Sequence, residues 1–387
     1  MNNRSTLGAL IAAATLALAQ FALADEQVTI GFTGPLSGGA ALYGENALEG
    51  LTMAATEINA AGGFQVNGET YTIEVTALDD KYAPSQAAVN GKRLVQQYKA
   101  PVIFAAHSGG TYALQGFNQR DDFLIMSYTP VPDVTAKGNP LTVKIPPSFT
   151  DYITPFSKIA MARFGPRLAV ASAMHDYAKI WAREIVPVWE AMGGEVVVVN
   201  PMDYNKSVDF YTGVSKALAG KPDVLFVGGA SEPTGLVIRQ ALELGFEGGF
   251  ILMDQAKIDE VARIVGSVKE MEGAVGTVPL GDYDTPGARQ FVARYADDHD
   301  TIASAETAHH YYGMHLVIQA MQEAGSVDDA LRIRAAMAAA VAKIPSEHNP
   351  YGVSAISDNG DLLSAPRLAE VVDGQVVQRD ISQVMEN

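Results

Sequence analysis

Cysteine does not occur in the 387 residues. Its absence excludes disulfides, thiolate metal ligands, a cysteine nucleophile and lipid attachment through a cysteine behind a leader. Basic residues are few as well: 27 Lys and Arg face 44 Asp and Glu, a formal charge of −17. That sign opposes nucleic acid and anionic membrane as partners and favours solubility. The acidic residues are dispersed, so they predict no disordered tail, and there is neither a solenoid repeat nor a low-complexity tract. With hydrophobic residues at 48% and no covalent cross-link, the core alone must hold the fold.

Long apolar runs are missing too, except at the start. Asn2-Asn3-Arg4, the run 7–18 and Ala22-Leu23-Ala24 supply the basic, apolar and small-residue parts of a secretory signal peptide. The run is too short to span a bilayer comfortably. The expectation is a leader over 1–24, a chain continuing from near Asp25, and a free periplasmic protein long enough for two domains.

What is present is a strand–helix rhythm. Alternation over 28–33 predicts a short strand that breaks at Gly34-Pro35-Leu36-Ser37-Gly38-Gly39. Leu48, Leu51, Ala55 and Ile58 then share one helical face over 47–60, closed by Gly62-Gly63. Strands are expected at 71–78, 102–106 and 123–126, with a helix at 85–97 and a turn at Asn67-Gly68. The rhythm resumes with strands at 168–173, 195–200, 224–227 and 250–253, alternating with helices at 178–192, 210–218 and 234–244. Long helices follow at 307–324 and 328–342, then short strands with a hairpin turn at Asp373-Gly374. Such alternation specifies an α/β chain of open parallel sheets with helices on both faces. Ligands of such sheets sit beyond the carboxyl ends of the strands.

The strand end richest in chemistry lies in 101–111, where an apolar run breaks at His107-Ser108-Gly109-Gly110-Thr111 and passes into a helix. The first amides of a helix have no intrahelical partner and carry the positive end of its dipole, so they favour an anion. The Ser108 and Thr111 hydroxyls add donors. Ala106-His107-Ser108-Gly109-Gly110 also resembles the nucleophile elbow G-x-S-x-G, with alanine for the first glycine. A serine hydrolase would then need Asp254 or Asp282, followed by His309, His310, His315 or His348. His309 and His310 begin an expected helix, where packing is the plainer reading. With His315 they have no zinc-type spacing, so neither a metal nor a cofactor is expected.

Several pieces, taken in order, resemble one family. They are Gly34-Pro35-Leu36-Ser37-Gly38 with Tyr43-Gly44, Glu57-Ile58-Asn59-Ala60-Ala61-Gly62-Gly63, and Asp79-Asp80 followed by Pro84-Ser85-Gln86-Ala87. Residues 108–111 and 223–229, Arg239-Gln240-Ala241 and Asn359-Gly360 continue the series. The chain resembles type I periplasmic binding proteins, and most of all the branched-chain amino-acid (LIV-type) receptors of ABC importers. The resemblance implies two doubly wound parallel-sheet lobes joined by three hinge crossings, near 144–147, 278–281 and 344–350. Lobe one would be 25–145 plus 281–345, and lobe two 146–280 plus 346–387. It also implies a monomer that is not an enzyme. Its cleft would close on a small carboxylate-bearing solute, foremost an amino acid, and deliver it to a membrane permease. Aliphatic or aromatic carboxylates and small amides are the alternative ligands, and a membrane signalling receptor is the alternative partner.

The resemblance also implies the site. Ser108 and Gly109 match the turn that holds the ligand carboxylate, joined by Thr129 or by the backbone of Tyr128. Tyr43 and Tyr177 match aromatics that contact the ligand from the two lobes. Asp254, or Gln255 in the alternative register, matches the acid that holds the ammonium. Ala230 and Ser231 stand where relatives often carry an aromatic, implying a larger or differently polar pocket. His107 either walls the pocket, adds a donor to the ligand, or is structural.

Overall fold

The computed structural model describes residues 26–299 and 303–386, so the expected leader lies outside the described residues. The first of two large sheets takes its strands from the amino-terminal part: β1 (Glu26–Gly34), β2 (Phe64–Val66), β3 (Glu69–Asp79), β4 (Val102–Ala105), β5 (Leu124–Ser127) and β6 (Thr142–Lys144). Their order is β2-β3-β1-β4-β5-β6, parallel except for the β2–β3 hairpin. That hairpin turns at Asn67-Gly68 with positive φ at both residues, as a tight two-residue turn between right-twisted strands requires. The expected strands at 28–33, 71–78, 102–106 and 123–126 all lie in this sheet. The short β2 and β6 have too few residues to show alternation in the sequence.

The longer helices of this part are α1 (Ala41–Ala60), α2 (Pro84–Gln96) and α3 (Ser108–Gln115). The second sheet is built from β7 (Arg167–Val170), β8 (Glu195–Val199), β9 (Val224–Val227), β10 (Gly249–Leu252) and β11 (Val275–Thr277). It is completed by the carboxyl-terminal β14 (Leu368–Val372) and β15 (Gln375–Arg379), in the order β15-β14-β11-β10-β9-β7-β8. The five earlier strands are parallel and the last two antiparallel, with the turn at Asp373-Gly374 again at positive φ. Helices α4 (Thr150–Phe164), α5 (Asp176–Ala191), α6 (Tyr211–Ala219), α7 (Ser231–Glu243) and α8 (Ile258–Val265) lie along this second series. The sequence pattern hides α4 because Pro155 sits inside it, where proline normally ends a helix. Burial of Tyr152, Ile153, Phe156 and Ala160 holds it in place nonetheless. In the core of this part, Trp181 of α5 stacks on Phe226 of β9 at 5.4 Å and lies 5.3 Å from Phe149.

The chain then returns to the first sheet. Helices α9 (Pro286–Asp298), α10 (Ala305–Ala324) and α11 (Ala330–Val341) follow β11, and α10 packs along α1. The approach is close enough that a Cβ on Gly50 would lie 2.1 Å from the Thr307 carbonyl oxygen, so only glycine fits there. Tyr295 and Tyr311 donate to Glu49 and Glu57 of α1.

The third crossing lies later than the sequence reading expects. The two-stranded ribbon β12 (Ala355–Ile356) and β13 (Leu362–Leu363) sits at the edge of the first sheet, not in the second part. The Lys144 amide donates to Gly360 O at 2.9 Å, and Thr135 Oγ1 donates to Asp361 Oδ1 at 2.7 Å. The chain enters the second sheet only at Leu368. Lys144 explains why: its buried ammonium lies 3.5 Å from Asp361 Oδ1 and donates to Pro146 O at 2.9 Å. Burial pulls its pKa down, and Asp361 opposes that shift.

Asp361→Asn removes the counter-charge of this ammonium. Urea unfolding should show a loss of about 1–3 kcal/mol, less than for a fully buried pair because Asp361 is partly exposed. A variant as stable as the wild type would show that the pair does not hold this segment.

Candidate functional site

The carboxyl ends of the two parallel sheets face one another across a cavity. It leaves about 60 Å³ for the centres of water-sized molecules, enough for several waters or a compact solute. Ser108 reaches it because β4 ends and α3 begins there. His107 caps α3: its Nδ1 accepts from the Gly110 amide at 3.0 Å, and its carbonyl accepts from Thr111. Neither bond uses the amides of Ser108 or Gly109. Because Nδ1 accepts, Nε2 carries the proton and donates to Asp80 Oδ2 at 3.1 Å. Asp80 also accepts from Thr33 Oγ1 at 3.0 Å and from the Tyr82 amide at 2.9 Å. Both ring nitrogens of His107 are therefore engaged, and what it offers the cavity is a ring face stacked on Tyr82 at 4.6 Å.

Ser108 Oγ lies 2.5 Å from Thr129 Oγ1, and Thr129 Oγ1 also accepts from the Val131 amide at 3.3 Å. One of the two hydroxyl protons joins the pair. The other is left for an acceptor in the cavity. No histidine is hydrogen-bonded to Ser108, so nothing activates it as a nucleophile.

Tyr43 comes from α1 and anchors its hydroxyl on Ala106 O at 2.9 Å, with its ring 5.9 Å from Tyr128. Burial pushes the phenols of Tyr43, Tyr128 and Tyr177 well above their ordinary range, so all three are neutral donors. From the second part, Tyr177 donates a very short bond to Asp254 Oδ1, and Trp181 Nε1 donates to the same oxygen at 2.9 Å. Burial raises the Asp254 pKa, while the Lys257 ammonium pulls it back. Gln255 also lines the cavity, so the two register alternatives both face it.

The lining residues that went unnoticed in the sequence include Tyr82, Lys257 and Glu306. Tyr82 stands in the left-handed region at φ 61° in the turn after β3, and Gln255 Nε2 donates to its hydroxyl across the cleft at 2.8 Å. Lys257 Nζ donates to Asp254 O at 2.5 Å and Gln255 O at 3.4 Å, and lies 3.4 Å from Glu306 Oε1. Burial alone would lower the Lys257 pKa, but Glu306, Asp254 and Glu260 outweigh it and hold the ammonium above its ordinary value. Glu306, 1% exposed, also accepts from Tyr128 at 3.2 Å. His309 stacks flat on Tyr351 at 3.8 Å, and burial keeps its ring neutral well below the usual range.

Gly109, Ala230 and Ser231 do not line this cavity. Gly109 opens on a small pocket beside it, with His175 and Asp176. Gly228, at φ 155°, turns the chain so that Ala230 faces an outer groove beside Asn205. Ser231 starts α7 and accepts from the Lys257 amide at 3.0 Å, which makes it a support of the lysine. The other histidines named for a triad lie elsewhere. His310 contacts Glu306 O through Nδ1 at 2.8 Å, while His315 and His348 stack at 4.0 Å beside Glu57 on the outer side of the first part. The Tyr311 hydroxyl and Arg294 fill the space around that carboxylate.

A profile of the periplasmic binding protein family matches residues 27–375. An amino acid binding protein of Pseudomonas aeruginosa is 28% identical over 302 residues, covering 76% of this chain and 77% of the relative. Two solved structures share the fold with a TM-score of 0.75 each. One is the branched-chain amino acid transporter substrate binding protein of Streptococcus pneumoniae in complex with isoleucine, at 21% identity over 92% of this chain and 99% of that one. The other is an ABC transporter solute binding protein of R. palustris in complex with benzoate, at 18% identity over 91% and 95%.

Glu260 stands behind the lysine, and burial raises its pKa to about 8, with the Glu306 charge adding to the shift. The unfolded chain releases this proton near 4.5, whereas the folded chain keeps it to about 8. This contribution to stability is therefore whole below 4.5 and is lost as pH rises to about 8. As pH rises from 5 to 8, the wild type should lose about 2–4 kcal/mol more of its stability to urea than Glu260→Gln does. Parallel pH profiles of the two proteins would refute the assignment.

Proposed function

The chain belongs to the periplasmic binding protein family, whose members bind solutes rather than transform them, and on that premise we propose that it captures a small carboxylate-bearing solute, foremost an amino acid. The solute's carboxylate lies against the Ser108–Thr129 hydroxyl pair and the start of α3. Its ammonium is held on the far side by Asp254, with Tyr43, Tyr128 and Tyr177 around it. The chain serves as the periplasmic, monomeric receptor of an ABC importer and hands the solute to a membrane permease. Among the described residues, lobe one comprises 26–145 and 281–363, lobe two 146–280 and 364–386, and the cleft opens by hinging at the three crossings.

The observation that carries the amino-acid reading is charge. Asp254 and Glu306 both face the cavity, and Lys257 is the cation beside them. A zwitterion supplies a positive group for the remaining carboxylate and a negative one for the hydroxyls. A simple carboxylate adds an anion to a cavity already rich in them. The runner-up is an aromatic carboxylate, favoured by the seven tyrosines among the lining residues.

Ser108→Ala should weaken binding of the best amino acid by about 1.5–3 kcal/mol in calorimetry, the scale of a hydrogen bond to a charged group. The deaminated analogue should bind the wild type at least about tenfold more weakly than the amino acid. Equal affinity for the analogue would favour the runner-up, and an unchanged Ser108→Ala affinity would remove the carboxylate from this position.

A further inference from the structure

Two residues of the second lobe that line the cavity each carry a buried polar atom without a partner. Gln255 is 5% exposed; its Nε2 is engaged with Tyr82, and its Oε1 is buried and bonded to nothing. Exchanging the amide oxygen and nitrogen leaves the other end orphaned instead, so the count does not depend on how the amide is oriented. Thr277 ends β11 on the same cavity, and its Oγ1 is likewise buried without a partner. Aliphatic surface is sparse here: Val278 is the one branched aliphatic side chain that lines the cavity, against seven tyrosines.

A buried polar group left unpaired in the bound state costs more than a hydrogen bond gains, so the lining selects what may fill it. A leucine, isoleucine or valine side chain would dry the cavity and leave both atoms unpaired. A solute with a hydroxyl or amide on its side chain could satisfy them. A site built to hydrogen-bond rejects the analogue that lacks the group more strongly than an apolar pocket rejects a change of size.

Resting on the reading that the solute is a carboxylate held at Ser108, we propose that Gln255 and Thr277 select one whose side chain carries a hydrogen-bonding group over its branched aliphatic isostere. The class is that of polar amino acids and their close analogues, in contrast to the isoleucine in the Streptococcus pneumoniae structure.

The test uses pairs that match in shape and differ in polarity: threonine with valine, asparagine with leucine, tyrosine with phenylalanine, each titrated into the wild-type protein by calorimetry. The polar member of the best-binding pair should bind about tenfold or more tightly than its isostere. Thr277→Val should cut that preference severalfold, in part by raising the affinity for the apolar member, whose complex no longer leaves a buried hydroxyl unpaired. If the apolar members bind equally well or better, this inference fails, while the carboxylate reading stands. If no member of any pair binds but a compound without a carboxylate does, the underlying reading fails and this inference with it. The wild-type titrations decide the matter even if the variant does not fold.

Discussion

The cleft depends on a single ammonium group. Lys257 has three protons, and three acceptors face it: the carbonyls of Asp254 and Gln255 in its own lobe, and Glu306 Oε1 in the other. The first two fix the loop after β10, so that the Asp254 and Gln255 side chains point at the cavity. The third is a bond between lobes. Without the lysine, Glu306 and Asp254 would be buried near one another with no counter-charge, a cost of several kcal/mol by the usual scale of buried ions. Ser231 extends the arrangement by holding the Lys257 amide from the start of α7.

The two faces of the cleft use different chemistry. Around Ser108 the first lobe presents neutral groups, namely the Ser108 and Thr129 hydroxyls, the rings of Tyr43 and Tyr128 and the start of α3, with Glu306 beyond them. The second presents charge and amide, in Asp254, Lys257 and Gln255. Donors of the first kind bind an anion without a buried cation, so they need no neutralising partner while the cleft stands empty. This also decides what Ser108 does. The stretch from Ala106 to Gly110 has the outline of a nucleophile elbow, yet its histidine is the cap of its own helix and both ring nitrogens are bonded elsewhere. Ser108 is hydrogen-bonded to Thr129 rather than to a histidine, and the chain belongs to a family of binding proteins.

Most of the fold was legible because strand–helix alternation is a local signal, and the polar breaks at strand ends pointed to Ser108, Thr129, Tyr177 and Asp254 in advance. What escaped reading was set by tertiary geometry. Lys257, three residues past Asp254, reads as an ordinary surface lysine until Glu306, far along the chain, is placed opposite. Glu306 lies in the first turn of α10, ahead of where apolar periodicity marks the helix. Tyr82 reaches the cleft only because its backbone takes a left-handed turn that a tyrosine seldom adopts. Ala230 failed in the opposite sense: it follows a strand end, but Gly228 directs it outward. The late third crossing had no sequence signal, because Lys144 and Asp361 are distant in the chain and only the folded sheet edge joins them.

The lobes meet through polar bonds and through the Tyr82–His175 ring contact at 4.8 Å. The polar bonds include Gln255 with Tyr82, Lys257 with Glu306, and Asn205 with the Gly39 and Ala40 amides and Lys81 O. Each such bond is worth about 0.5–1.5 kcal/mol net, since water replaces it when the lobes part. The large apolar contacts, such as Trp181 on Phe226 and α10 on α1, lie within one lobe and survive opening. A solute that contacts both faces shifts the balance between open and closed by the full difference in its affinity for the two states. In the proposed function binding and closure are one event: Ser108 would hold the carboxylate first, and closure would bring Asp254 and Gln255 to the same molecule.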